Sequence, residues 1–191
     1  MIVLKTNREL ALMREACIIS AGALKLAGEA VEPGVTTAEI DKIAYDYIIK
    51  CGAKPNFLNY NGYPATACIS INDEVIHGIP SKKRVIEEGD IVSIDLGAVL
   101  EGFNGDNAAT FAAGAISSEA KRLCDTTKES LFLGIEKAVA GGRIGDIGYA
   151  VQHHCESRGY SVVREFVGHG VGHKLHEDPS VPTVSYTHLR A

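Results

Sequence analysis

The sequence predicts an α+β chain built as two similar halves, and three observations carry that expectation. Helix-like and strand-like patterns alternate along the chain, with capping and breaking signals between them. A β-branched, apolar stretch, Ile91–Val99, meets Glu101-Gly102 and a returning stretch, Phe103–Phe111, which reads as a hairpin. The third observation is an internal repeat. Ala30-Val31-Glu32-Pro33-Gly34 resembles Ala138-Val139-Ala140-Gly141-Gly142 at an offset of 108, while Ile40 matches Ile147 and Gly52 matches Gly159 at 107. In both parts a long helix, a Gly-containing break, a second helix, a Gly stop and a strand follow in the same order. The expected arrangement is two halves, about 1–115 and 116–184, around a pseudo-twofold axis with the site between them.

The elements follow in order. Thr6-Asn7-Arg8-Glu9 is a capping-box signature, and Leu10, Met13, Cys17, Ala21, Leu24 and Ala27 recur behind it at helical spacing, to about Ala30. Pro33-Gly34 breaks this helix. Thr36-Thr37-Ala38-Glu39 is a second capping box, with Ile40, Ile43, Ala44, Tyr47 and Ile48 on one stripe and Gly52 as the stop. Lys54–Pro64 is aromatic and turn-rich. Ala65–Ile71 reads as a strand, Asn72-Asp73 as its turn, and Pro80 ends the following run, which holds His77. After the hairpin, Ser117 or Ser118 caps a helix over about Glu119–Val139. Gly141-Gly142 breaks it, Asp146 caps the next helix, and Gly159 stops that one. Tyr160–Val167 is β-branched and predicts a strand.

The hairpin carries chemistry. If Leu100 pairs with Phe103, then Asp95 faces Ala108 and Asp106 faces Gly97. With side chains alternating at period two, both carboxylates project from one sheet face as diagonal neighbours. Ile91, Val92, Ile94, Leu96 and Val99 are expected to surround them. Like charges so placed share a proton, hold a cation between them, or lie on a solvated outer face where repulsion costs little.

A second cluster is Gly168-His169-Gly170-Val171-Gly172-His173, then His176. The glycines argue against a helix, and no Glu follows His169, which excludes the helical HExxH arrangement. On an extended strand His169 is a candidate metal ligand through neutral imidazole. His77 and His176 are candidates for donating hydrogen bonds or moving protons. His153 and His154 read as ordinary residues of the fourth helix, and His188 in the tail gets no role.

Composition bounds the rest. A chain of 191 residues, 46% hydrophobic, is long enough for one sizeable core. A net charge of −5 argues against nucleic-acid or anionic-membrane binding. The first ten residues lack an apolar signal core, and no apolar run approaches a membrane span. Five scattered cysteines without a CxxC motif read as reduced thiols of a cytoplasmic protein.

Together these residues resemble the type I methionine aminopeptidases. The resemblance rests on Arg14-Glu15-Ala16, Pro33-Gly34-Val35-Thr36-Thr37, Tyr60-Asn61-Gly62-Tyr63-Pro64, and the run Ser70 to Pro80 (SINDEVIHGIP). It continues through Gly89 to Asp95 (GDIVSID), Gly105-Asp106-Asn107, and Gly168 to Gly172 (GHGVG) leading to His176-Glu177-Asp178-Pro179. It implies the pita-bread fold of two pseudo-symmetric halves, forming one catalytic domain over 1–184, with a second half that is incomplete here. It implies Asp95, Asp106 and His169 as metal ligands, and His77 and His176 as catalytic groups touching the substrate near the scissile peptide. Phe57, Tyr60, Tyr63, Cys68 and Leu175 would line a methionine pocket. The implied activity is removal of N-terminal methionine from nascent polypeptides with two divalent ions (Co, Mn or Fe). The ribosome is one place of encounter, the compartment is cytoplasmic, and the full-length state is a monomer.

Two further Glu ligands implied by the family have no counterpart after the His176 segment, and residues 185–191 do not resemble the family. The chain 1–191 is therefore expected to be weakly active or inactive. The alternatives are a non-catalytic binding protein of this fold and an Xaa-Pro dipeptidase of this fold. Retention of the ligand residues opposes the first; the short N-terminus and the Tyr60–Tyr63 segment oppose the second.

Overall fold

The structure is a computed structural model and describes residues 2–185. The tail expected to be atypical therefore lies, apart from Ser185, outside the described residues. The chain divides into two compact units. One comprises residues 3–117 and 171–176. The other comprises residue 2, 118–170 and 177–185.

The first unit begins with α1 (Asn7–Glu29), opened by the expected capping box. The Glu9 carboxylate accepts from the Thr6 N–H at 2.7 Å, and the Glu9 N–H donates to Thr6 Oγ1 at 3.4 Å. Its buried face is Ala16, Ile19, Ser20, Ala23, Leu24 and Ala27, which corrects the stripe expected from Leu10, Met13, Cys17 and Ala21. Leu10 is 50% exposed. Part of the reason is proximity: where α1 crosses Gly105 it lies so close to the sheet that only a small residue, Ala16, fits on its inner side, while Ile19 and Leu24 fill the core further along. A Cβ on Gly105 would come 2.5 Å from the Ala16 and Cys17 backbone.

Helix α2 (Thr37–Lys50) opens on the second capping box and buries Thr37, Ile40, Ala44 and Ile48. It ends where Ala53 N–H donates to Ile48 O at 3.2 Å, with Gly52 at φ +75°.

Strands β1 (Lys54–Pro55), β2 (Ala67–Ile71), β3 (Ile91–Leu100) and β4 (Phe103–Ala112) form one antiparallel sheet with β3 at its centre. The β3–β4 register runs from Ile91↔Ala112 to Leu100↔Phe103, as the hairpin pattern requires. Glu101 and Gly102 both have positive φ, +50° and +82°, the two-residue turn whose twist suits a hairpin. Val92, Ile94, Leu96 and Ala98 on β3 and Ala67, Ile69 and Ile71 on β2 face the core with α1 and α2. These residues lie beneath Asp95 and Asp106, on the opposite face. Strand parity thus corrects the expectation that Val92, Ile94 and Leu96 surround the carboxylates, while Ile91 and Val99 do share their face.

The second unit holds α3 (Ser118–Lys137), α4 (Ile144–Glu156), β5 (Val167–Gly170) and β6 (Glu177–Pro182). Asp146 is the third residue of α4, not its cap: its carboxylate reaches back to the Arg143 N–H at 3.0 Å. Residues 160–166 form no strand; extended pairing begins at Val167, where β5 meets β6. The repeat is visible at a single offset of 107. Gly34 and Gly141 both have positive φ, as do Gly52 and Gly159. The closing bond Ala53 N–H to Ile48 O recurs as Tyr160 N–H to Cys155 O at 3.0 Å. Buried Ile19, Ala23 and Ala27 of α1 correspond to buried Thr126, Ser130 and Gly134 of α3.

Candidate active site

Of the site residues expected from sequence, Asp95, Asp106 and Cys68 stand on the outer face of the first unit's sheet. Asp95 pairs with Ala108 and Asp106 with Gly97, so both carboxylates stand on the same face one diagonal step apart. On the other side of β3, Cys68 lies directly opposite Asp95, on the same face. The same face carries Ser93, Gly97, Asn104 and Thr110, with Ile91 and Val99 at the two ends of β3; Ser93 Oγ and Thr110 Oγ1 share a hydrogen bond of 2.8 Å.

Electrostatics agrees with the register. Burial pushes the Cys68 thiol above its ordinary range; a hydrogen bond with Tyr63 opposes this, and the charges of Asp95, Asp106 and Asp41 add to it. Burial likewise raises the Tyr63 phenol, followed by its hydrogen bond with Cys68. The Tyr63 hydroxyl also donates to the carbonyls of Ala67 and Gly78, at 3.0 and 3.1 Å. Cys17 of α1, raised chiefly by burial, hydrogen-bonds the Asp106 backbone.

His176 and Leu175 belong to the same unit through segment 171–176. Leu175 is buried, and Tyr60 Oη shares a 3.0 Å hydrogen bond with His176 Nδ1, the rings 5.5 Å apart. Phe57 is half-buried and its carbonyl accepts from the Tyr60 N–H at 2.9 Å. His77 is exposed and holds φ +61°, a conformation uncommon for a side chain of this kind. Its neighbour Gly78 is clamped by Ile69 N–H to Gly78 O, 2.8 Å, and Gly78 N–H to Ser70 Oγ, 3.1 Å. His169 lies on β5 in the other unit, at the register shift between His169 and Gly170.

Among the described residues, no group of three or more His, Cys, Asp or Glu side chains stands close enough to hold a metal ion. What the first unit does assemble is a pair of adjacent carboxylates. Hard oxygen donors carrying two negative charges fit a divalent cation, so the donor set present is compatible with one.

Residues not anticipated from sequence complete the surroundings. Asp41 of α2 accepts from the Thr66 and Ala67 N–H groups at 2.9 and 2.8 Å and so anchors the start of β2. Asn56 lies across Gly97, where an added Cβ would come within 2.4 Å of its amide. Its Nδ2 donates to Asn104 Oδ1 at 3.2 Å and Gly105 O at 3.3 Å. Asn104 lies two positions before Asp106 and on its face, and that parity is the one sequence signal that could have pointed to it.

Comparison with known proteins agrees with this reading. The profile of metallopeptidase family M24 matches residues 11–191. Methionine aminopeptidase of Clostridium acetobutylicum is 54% identical over 182 residues, covering 95% of this chain and 73% of that protein. The crystal structure of methionine aminopeptidase from Thermotoga maritima superposes with a TM-score of 0.94 at 38% identity, over 100% of this chain and 77% of that one. Prolidase from Pyrococcus furiosus shares the fold at a TM-score of 0.85 and 26% identity, over 98% of this chain but 54% of that one. Among the described residues, no helix is long and apolar enough to cross a membrane. The chain belongs to metallopeptidase family M24, with the α+β pita-bread fold, and within that family to the methionine aminopeptidases.

Proposed function

We propose that this protein removes the N-terminal methionine of nascent polypeptides in a reaction that depends on two divalent metal ions, with Co, Mn or Fe as the candidates. The carrying observation is the β3–β4 register, which sets Asp95 and Asp106 on one face beside Cys68. Asp95 and Asp106, with His169 assigned by resemblance, are the ligand residues. When bound, the metal supplies Lewis acidity, which acidifies a water and polarises a peptide carbonyl. The chain's own residues supply the rest. Cys68, Tyr63, Phe57, Tyr60 and Leu175 receive the methionine side chain, whose thioether favours aromatic and polarisable neighbours. Tyr60 orients His176 through Nδ1, so Nε2 is the nitrogen that meets the substrate. His77 is the second imidazole beside the scissile bond, where it donates a hydrogen bond or moves a proton. The reaction is placed in the cytoplasm, at or near the ribosome, and the full-length protein is a monomer.

The test sets a Met-Ala-Ser peptide against an Ala-Pro dipeptide, with purified protein and added Mn(II) or Co(II). Methionine release that requires the metal is expected, with Ala-Pro untouched. Cleavage of Ala-Pro with Met-Ala-Ser intact would transfer the chain to the dipeptidase reading.

A further inference from the structure

Segment 171–176 carries His176, yet it returns to the first unit from far along the chain and has no strand of its own there. What holds it is a set of contacts at one end of the central hairpin. The Asn104 N–H donates to Gly172 O at 2.9 Å. The Asn104 side-chain amide donates to Gly172 O at 3.0 Å and His173 O at 3.1 Å. His173 Nδ1 and Gly102 O lie 3.0 Å apart, so Nδ1 carries the proton and donates. The His173 ring also lies on Phe103, centroids 4.0 Å apart, and its Nε2 is 3.8 Å from the Glu9 carboxylate at the start of α1. Asn104 is itself held, since its Oδ1 accepts from Asn56 Nδ2. It is 5% exposed, and a buried amide with each polar atom engaged is a rigid fixture.

We propose that Asn104 and His173 are positioning residues for the reaction. They fasten the backbone of 172–173 to the hairpin that carries Asp106 and thereby hold His176 at Tyr60. Neither residue needs to touch substrate. Their effect is on the location of an imidazole three positions beyond His173, and displacement of such a group by about 1 Å is enough to cost about 10²-fold in rate. This inference rests on the role given to His176 above, but its first readout does not.

The experiment measures the imidazole ¹⁵N resonances of His176 by NMR. Tyr60→Phe removes the hydroxyl and defines the signal of an unheld ring. His173→Phe keeps a ring over Phe103 but removes the donor to Gly102 O. His173→Asn keeps a donor near the Nδ1 position and removes the ring. Asn104→Ala removes the amide that holds both carbonyls. The expected result is that Asn104→Ala and His173→Phe move the His176 Nδ1 signal toward the Tyr60→Phe value, while His173→Asn stays near wild type. In turnover the same two variants should lose about 10-fold to 10²-fold in kcat, with His173→Asn largely rescued. Should Asn104→Ala not fold, the two His173 variants decide the matter. His176 signals unchanged in His173→Phe, with Tyr60→Phe shifted, would overturn the proposal. If the signals move as expected but His176→Ala leaves methionine release intact, the clasp stands and the role given to His176 fails.

Discussion

Gly105→Ala tests the packing on which the site stands. Gly105 precedes Asp106, and a Cβ there would lie 2.5 Å from Ala16 C and O and from Cys17 N. Ordinary contact begins near 3.4 Å, so α1 must move away by about 0.9 Å. These neighbours are backbone atoms of a regular helix and have no rotamer to escape into. A gap of that width forfeits about a quarter to a half of the dispersion energy across the contact. Ile19 and Leu24 on the same helix face are each worth about 1.5–3 kcal/mol of burial. The expected loss is therefore about 3 kcal/mol, the upper end for overpacking. Gly28→Ala is the control. Its added Cβ would meet first the Phe111 ring, at 2.0 Å, a half-buried side chain with rotamer freedom that helix backbone lacks. Replacing glycine inside a helix also returns about 1 kcal/mol. Urea unfolding followed by circular dichroism reads the difference. With a slope of about 2 kcal/mol/M, Gly105→Ala should lower the midpoint by about 1.5 M. A midpoint for Gly105→Ala equal to or above that of Gly28→Ala would refute the close-packing account.

Further outcomes are expected elsewhere. Asp106→Asn should weaken divalent-metal binding at least about 10-fold by calorimetry, since it removes one of two adjacent charges; unchanged affinity would remove Asp106 from the ligand set. His77→Asn, chosen because Asn tolerates positive φ, should cost about 10²-fold in methionine release with metal binding intact; loss of both would reassign His77 to the metal. Burial holds the Asp41 carboxyl above its ordinary range, opposed by its bonds from Ala67 and Thr66. A raised folded value makes that contribution complete below the unfolded value and lost as pH rises through the folded one. Asp41→Asn, which keeps an acceptor and has no charge, should flatten the fall in stability as pH rises from the ordinary carboxylate range; an unchanged slope in urea titrations would contradict this. Asp41→Ala should cost about 2–3 kcal/mol because it orphans two N–H groups.

Local signals in the sequence were good guides wherever a few neighbouring residues decide the structure. Both Thr-x-x-Glu capping boxes and the Glu101-Gly102 turn formed as the pattern implies. The hairpin register followed from the turn, and from the register followed the shared face of Asp95 and Asp106. The misreadings arose where a distant partner decides. The inner face of α1 is set by the closeness of Gly105 and Phe111, so alanines sit among Ile19 and Leu24 on it and Leu10 points out. Tyr160–Val167 has strand composition, yet within it strand pairing is found at Val167 alone, on β6. Asn104 and His173 carry no motif, and their meaning comes from an encounter 69 residues apart.

That separation has a consequence for the order in which the site is completed during synthesis. Residues 3–117 emerge first and contain the whole sheet, α1 and α2. Asn104 must wait for Gly172, which is 68 residues later, and closing a flexible loop of that length costs about 4 kcal/mol beyond a constant. The hydrogen bonds that close it, three from Asn104 and one from His173, return about 1 kcal/mol each. Burial of Leu175 and the Tyr60–His176 hydrogen bond add to that return, but the closure cost falls due only when this segment arrives, so it is the last part of the first unit to engage. Amide exchange should show this directly: Asn104 N–H, bonded to Gly172 O, should exchange far sooner than Ile94 and Leu96 N–H at the centre of the sheet. In a ribosome-bound chain, the carboxylate pair would be in place well before the imidazole of His176 reaches Tyr60.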